Sequence, residues 1–302
     1  MVEILKFRNK GIIFANKKMR DTVDLDVALP IEQIIEPKSK FSLGLAELWQ
    51  YRELFYFFTW RDVKVRYKQA FLGFLWAVIQ PFSMMVLFSL VFGKALKAPS
   101  DGIPYPIFVY SGLMLWNIFS AGLQNSATSM VTNANLIKKV YFPRLIVPMS
   151  SILVALFDFL MSLVVYAGLL VYYGYAVNIL KIIVLLPIAV LLTVITTFGL
   201  GTFLAAFNVK YRDFQYTIPF LIQFLMFLNP VVYATSSFTG SWFNYVLAIN
   251  PLAGAINLAR SAFIDTPVRY ELILSNFVVA IALFFVGIYT FRKTEGYFAD
   301  IA

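Results

Sequence analysis

The stretch YRELFYFFTWRDVKVRYKQAFLGFLWAVIQP, residues Tyr51–Pro81, changes character part-way along. Up to Lys68 it interleaves Tyr51, Phe55, Phe57, Phe58 and Trp60 with Arg52, Arg61, Lys64, Arg66 and Lys68. From Phe71 onward the chain is almost continuously apolar, interrupted by short charged clusters. A polar arm that runs through an aromatic and basic segment into a long apolar region is the pattern of an integral membrane protein. Function is therefore sought in what crosses a bilayer.

Composition supports this reading. Hydrophobic residues make up 60% and charged residues 14% of the chain, against about 25% charged in a soluble domain. The mean hydropathy is +0.77. One soluble core of this length has too little interior for so much apolar surface, whereas lipid-facing side chains need no burial. Cys and His are both 0. This excludes disulfides and thiol chemistry, removes the usual zinc and haem ligands, and rules out Ser-His-Asp and Cys-His catalysis. No metal site is expected. No cleavable signal peptide is visible either, so the first span is expected to direct insertion.

A helix needs roughly 20 apolar residues to cross the hydrocarbon core. Six segments qualify: Phe71–Phe92, Ile107–Val131, Leu145–Tyr173, Leu180–Phe207, Tyr216–Tyr233 and Leu272–Phe291. All but five of the 25 lysines and arginines (Lys94, Lys97, Lys181, Arg260 and Arg269) fall on the side that holds both termini. The positive-inside rule makes that side cytoplasmic. It also accounts for the net charge of +9 without nucleic acid. The expected fold is an all-α integral membrane protein with six transmembrane helices and both termini cytoplasmic.

Three regions follow: a cytoplasmic appendage over 1–40, an amphipathic interface helix over 41–70, and a six-span domain over 71–302. In the interface helix, Arg61, Lys64 and Lys68 share a face, and Asp62 and Arg66 are spaced for an i, i+4 pair. The aromatic and basic mixture suits the inner headgroup layer; a soluble helix packed on an ordinary core also fits. Between spans five and six, Asn229-Pro230 and Asn250-Pro251 break the chain twice. The short apolar helices Trp242–Ile249 and Leu252–Phe263 read as re-entrant or gate helices, with Trp242, Asn250, Asn257 and Arg260 as outer-gate candidates. Helices lying on the membrane surface are the alternative.

Three strings carry a more specific signal: Tyr51–Pro81, PYPIFVYSGLMLWNIFSAGL (Pro104–Leu123) and NANLIKKVYFPRLIVP (Asn133–Pro148). In this order they closely resemble the permease subunit of ATP-binding-cassette exporters of bacterial surface polysaccharides, nearest to O-antigen lipopolysaccharide exporters. The likeness runs from about residue 35 to the end. It implies a half-transporter of the inner membrane. Two copies would enclose a channel, two separate ATPase subunits would bind ATP and magnesium, and the cargo would be a glycan on a polyprenyl-diphosphate lipid. The chain agrees with that division, because it has no G-x-x-x-x-G-K-[ST] phosphate loop. No cofactor is expected on this chain itself.

The resemblance places ATPase docking on Asn133–Arg144. Leu136 and Ile137 would fill a cleft, with Lys138, Lys139 and Arg144 as charged donors and Arg212 as a second contact. These cations also fix topology. Arg61, Lys64, Arg66 and Lys68 suit either anionic membrane lipid or a diphosphate headgroup. A glycan channel needs polar and aromatic walls. Asn117, Ser120, Gln124 and Thr128 align on the second span, Tyr216, Phe220, Gln223 and Phe227 on the fifth, with Trp76, Gln80 and Trp116 added. Polar residues that only join helices give the same pattern. Asp158, deep in the third span, needs protonation, a partner or a hydrated cavity.

Competing functions remain: export of teichoic acid, capsule or another amphipathic cargo, an ion-coupled secondary carrier, and a membrane glycosyltransferase. A carrier calls for several intramembrane ionisable residues and, often, repeats. Only Asp158 qualifies, and no repeat is evident. A transferase calls for a convergent acidic or His cluster, and none stands out.

Overall fold

The computed structural model describes residues 6–8, 11–13, 45–68, 73, 75–211, 213–238, 242–264, 266 and 268–297. The chain divides into two compact units, Met1–Ser42 and Leu43–Ala302. In the first, β1 (Lys6–Arg8) pairs antiparallel with β2 (Gly11–Ile13), Phe7 opposite Ile12. The second is helical: α1 (Leu45–Gln50), α2 (Arg52–Lys68), α3 (Leu75–Phe88), α4 (Tyr105–Thr132), α5 (Ala134–Lys139), α6 (Ile146–Tyr172), α7 (Ile179–Lys210), α8 (Phe214–Leu228), α9 (Phe243–Ile249), α10 (Pro251–Ile264) and α11 (Tyr270–Thr294). A π-helical stretch, Ser89–Ala95, prolongs α3.

Five of these helices are long and apolar enough to cross a membrane: Leu75–Ala95, α4, α6, α7 and α11. At 1.5 Å per residue, α4 and α7 reach about 42 and 48 Å, beyond the roughly 30 Å of hydrocarbon. The fifth expected span differs. Helix α8 has 15 residues, about 22 Å, and ends at Leu228 instead of Tyr233. The break at Asn229-Pro230 stops it, and the buried non-helical run Asn229–Ala234 carries the chain onward. That run reaches the N-terminal end of α4, where the Tyr105 hydroxyl donates to the Val232 carbonyl at 2.6 Å.

Helix α4 is buried along most of its length, with Asn117, Ser120 and Gln124 half-buried on one side. It packs on α6, α7 and α10. The core between them includes stacked Tyr110 and Tyr166 (5.8 Å) and the edge contact of Tyr166 with Phe263 (4.8 Å). Small residues bring the helices close, as is usual where burial from water does not drive association. A Cβ at Gly199 of α7 would meet the Leu283 main chain of α11 at 2.7 Å, and one at Gly287 would run into the Gly199 carbonyl.

A second cluster closes the opposite end. Phe58 of α2, Ile137 of α5, Phe142, Leu145 and Ile146, Val209 of α7, and Phe291 of α11 pack together there. Lys138, Lys139, Lys210, Arg292 and Lys293 gather at this end, which is called the basic end below. The Arg144 guanidinium donates to the Glu295 carbonyl, tying the start of α6 to the end of α11.

Helix α2 climbs along α6 from the basic end. Phe58 meets Phe142 (5.6 Å) and Tyr67 meets Phe157 (5.9 Å). Its faces are less divided than the sequence suggests. Phe58 and Val63 face inward, while Tyr56, Phe57, Trp60 and Val65 are exposed beside Lys64 and Lys68.

Helices α9 and α10 meet at 88°. Every residue of α10 is buried, so this helix does not lie on the membrane surface. The corner is built by hydrogen bonding. The Asn250 side chain accepts from Leu252 N at 3.2 Å, and Pro251 follows as the first helical residue, where its missing N–H is harmless.

Candidate functional site

The polar residues expected to line a channel largely meet in one place. Trp76 and Gln80 of α3, Asn117, Ser120 and Gln124 of α4, and Gln223 of α8 border a cavity of about 620 Å³. Arg66 and Tyr67 of α2 and Asp158 and Ser162 of α6 complete its wall. Pro81 cannot bond the Ala77 carbonyl, because proline has no N–H. Both residues border the cavity.

Other expected members sit elsewhere. Thr128 borders a second cavity of about 360 Å³, with Arg61, Asp62, Arg66, Asn125 and Asn133. Trp116 is buried against Phe119, ring centroids 5.5 Å apart. Tyr216, Phe220 and Phe227 are exposed on α8, outside both cavities.

The basic stripe of α2 splits in two. Arg61 donates to Asp62 at 2.8 Å and to the Asn133 side chain at 2.9 Å, with its guanidinium 4.9 Å above the Phe58 ring. The spacing of Asp62 and Arg66 suggested an ion pair; instead Asp62 takes its neighbour Arg61. Arg66 crosses to α6 and pairs with Asp158, and the Tyr67 hydroxyl donates to the other oxygen of the same carboxylate. Burial first, then this hydrogen bond, raises the Tyr67 phenol above the usual tyrosine range, so Tyr67 is a neutral donor. Local spacing shows no partner for Asp158 because its partners lie 91 and 92 residues away. Lys64 and Lys68 stay exposed, Lys64 with its ammonium 5.4 Å from the Trp60 ring.

At the expected docking segment, Lys138 and Lys139 are exposed. Ile137 differs from its expected role: it is 7% exposed and packs into the basic-end cluster, with Leu136 against it. The apolar side chains turned outward here are Val140 and Tyr141. Arg144 is engaged with Glu295, and Arg212 lies outside the described residues.

The outer-gate candidates act mainly as ties. Trp242 is exposed. Asn250 donates to Leu228 O at 3.3 Å and to Asn229 Oδ1 at 3.0 Å, and Asn257 accepts from Thr235 at 3.2 Å. Arg260, 2% exposed, donates to Val231 O at 2.9 Å, with its guanidinium 3.6 Å from the Phe108 ring centroid. Arg260 thus satisfies one carbonyl of the non-helical backbone at 229–234, which is tolerated at membrane depth only inside protein or beside water. Sequence reading missed Asn276 of α11. Its amide donates to the carbonyls of Leu247 and Ala248, orphan acceptors at the end of α9, and to that of Asn250, which also accepts from Ala253 N, at 2.8 to 2.9 Å. A lone Asn within an apolar run was its only signal.

Comparison with known proteins agrees with this architecture. Residues 53–264 match the family described as ABC-2 type transporter. The O-antigen export system permease protein RfbA of Klebsiella pneumoniae is 31% identical, covering 87% of this chain and 98% of that protein. RfbA of Myxococcus xanthus is 32% identical, covering 72% and 83%. The polysialic acid transport protein KpsM of Escherichia coli is 25% identical, covering 78% and 91%. With a multi-pass helical domain around a polar cavity and a family match over most of its length, the chain belongs to the ABC-2 type transporter family.

Proposed function

We propose that this chain is the transmembrane half of an ATP-driven exporter that moves lipid-linked polysaccharide, of the O-antigen type, out of the bacterial cytoplasm. It works as a homodimer in the inner membrane, with both termini cytoplasmic. Two separate ATPase subunits bind at the basic end and hydrolyse ATP there. The observation that carries this reading is the polar cavity of about 620 Å³ between α3, α4, α6 and α8. The exposed faces of α3 and α8 beside it carry Trp76, Tyr216, Phe220 and Phe227. A second copy facing this side would turn an open groove into a closed conduit. Amides and hydroxyls there suit sugar hydroxyls, and aromatic rings suit sugar C–H faces.

The ion-coupled carrier gains nothing from the relatives named above, which are export and transport permeases. Asp158, the acid such a carrier would use, is held by Arg66 and Tyr67. Co-expression with a phosphate-loop ATPase subunit of this exporter class tests the assembly. A native mass matching two copies of each subunit is expected; recovery of this chain as a lone monomer, with no ATPase bound, contradicts it.

A further inference from the structure

Among the described residues, Arg66 is the one shared by the linings of the two polar cavities. On one side of it lie Tyr67, Gln80, Asn117, Ser120 and Gln124; on the other lie Arg61, Asn125, Thr128 and Asn133. Gln124 and Asn125 are adjacent on α4, and Val154 of the second cavity is one turn from Asp158 of the first on α6. The two cavities therefore adjoin along α2, α4 and α6, and Arg66, held by Asp158, stands where they meet as a crossbar. Side-chain exposures of 37% for Arg66 and 19% for Asp158 leave the guanidinium open to a competing anion while the carboxylate is largely enclosed. Gly73, whose φ of +50° favours glycine, borders the first cavity between α2 and α3.

We propose that Asp158 and Tyr67 are positioning residues that hold Arg66 across the groove when no cargo is bound, and that a phosphate-bearing lipid takes the guanidinium over from Asp158, joining the two compartments. This rests on the exporter reading and adds to it a latch with a defined competitor. A phosphate oxyanion matches the bidentate fork of arginine as well as a carboxylate does and brings more charge. The exchange moves no proton and breaks no covalent bond. Tyr67 remains as a neutral donor to the released carboxylate, so Asp158 is not left without a partner.

The chain contains no cysteine, so a single Ser120→Cys change gives a unique reporter beyond the crossbar. The full chain, with its ATPase partner, is placed in inside-out vesicles and labelled with a membrane-impermeant maleimide. Asp158→Asn is expected to raise the labelling rate about fivefold or more, the range of a typical coupling between two states. Asp158→Glu, and the exchange Arg66→Asp with Asp158→Arg, are expected to return it to the parental rate. Tyr67→Phe, which leaves the ion pair in place, should raise it less. In the parent, vesicles containing a polyprenyl diphosphate should give the fast rate and the same polyprenol without phosphate the slow one. Arms with inorganic pyrophosphate and with phosphatidylglycerol separate a cargo headgroup from free phosphate and from bulk anionic lipid.

Parental labelling in both Asp158→Asn and Tyr67→Phe overturns the latch. So does a rate that responds to Asp158 but to none of the phosphate-bearing additions. If ATP-dependent export persists in either case, the exporter reading stands and the latch alone falls. Loss of ATP-dependent export from the unmodified complex would instead count against the exporter reading.

Discussion

At the far end of the bundle, Asn250, Asn276 and Arg260 donate to main-chain carbonyls of segments that are not helical or have just stopped being so. At the basic end and along α2, Arg61 and Arg66 pair with side chains across a groove, and Lys138 and Lys139 are exposed. Both sets are polar residues in an apolar chain, yet they do different work. The first fills obligations of the backbone that lipid cannot meet. The second joins α2 to its neighbours or presents charge outward. The difference teaches that polarity within a span marks function only after the backbone's own needs have been subtracted.

The sharpest way to break this comparison is at Asn276. Asn276→Ala removes the side-chain donor of the Leu247 and Ala248 carbonyls in a buried site, so a loss of about 3 kcal/mol is expected. It should be read as a large drop in the thermal stability of the purified protein. Stability like the parent's would mean that the α9–α10 corner holds itself. Next comes the outward-facing charge. Lys138→Glu with Lys139→Glu should lower recovery of the ATPase partner roughly tenfold while leaving membrane insertion intact. Unchanged recovery would remove the docking assignment.

Arg61→Leu deletes a bond to Asn133 and one to Asp62 in a half-exposed site. A stability loss of about 1 kcal/mol is expected, smaller than that of Asn276→Ala, and thermal unfolding of the two variants compares them directly. Smallest of all is Lys64→Ala. This exposed side chain should leave stability within about 0.5 kcal/mol and export unchanged at normal protein levels, as an anchor to anionic lipid would. A collapse of export there would move Lys64 from the membrane surface into the cargo path.

Much of the fold is legible in the sequence because lipid imposes a length rule. Runs of apolar residues gave α4, α6, α7 and α11 within a few residues of their ends. The same rule misread α8, since it counts apolar residues and ignores that Asn229-Pro230 ends the helix while Val231 and Val232 stay buried in a non-helical turn. The cavity wall was partly legible: Asn117, Ser120 and Gln124 share a helical face by spacing alone. Trp116, one residue away, points into the core instead. Asp158 stood out by its depth, but its partner could not be read, because local spacing paired Arg66 with Asp62 and only tertiary packing of α2 on α6 brings Arg66 to Asp158. Ile137 was misassigned for a related reason. An apolar residue beside two lysines looks like a contact for a partner, and only the packed cluster with Phe58 and Phe142 shows that it is already covered.

The central claim is that this chain forms half of a conduit whose energy comes from another subunit. Reconstitution into vesicles with a defined polyprenyl-diphosphate-linked glycan on the cytoplasmic side tests it most directly, by measuring glycan that reaches the opposite side with and without the ATPase and ATP. The account predicts translocation only when both are present; equal translocation by this chain alone, indifferent to nucleotide, would contradict it.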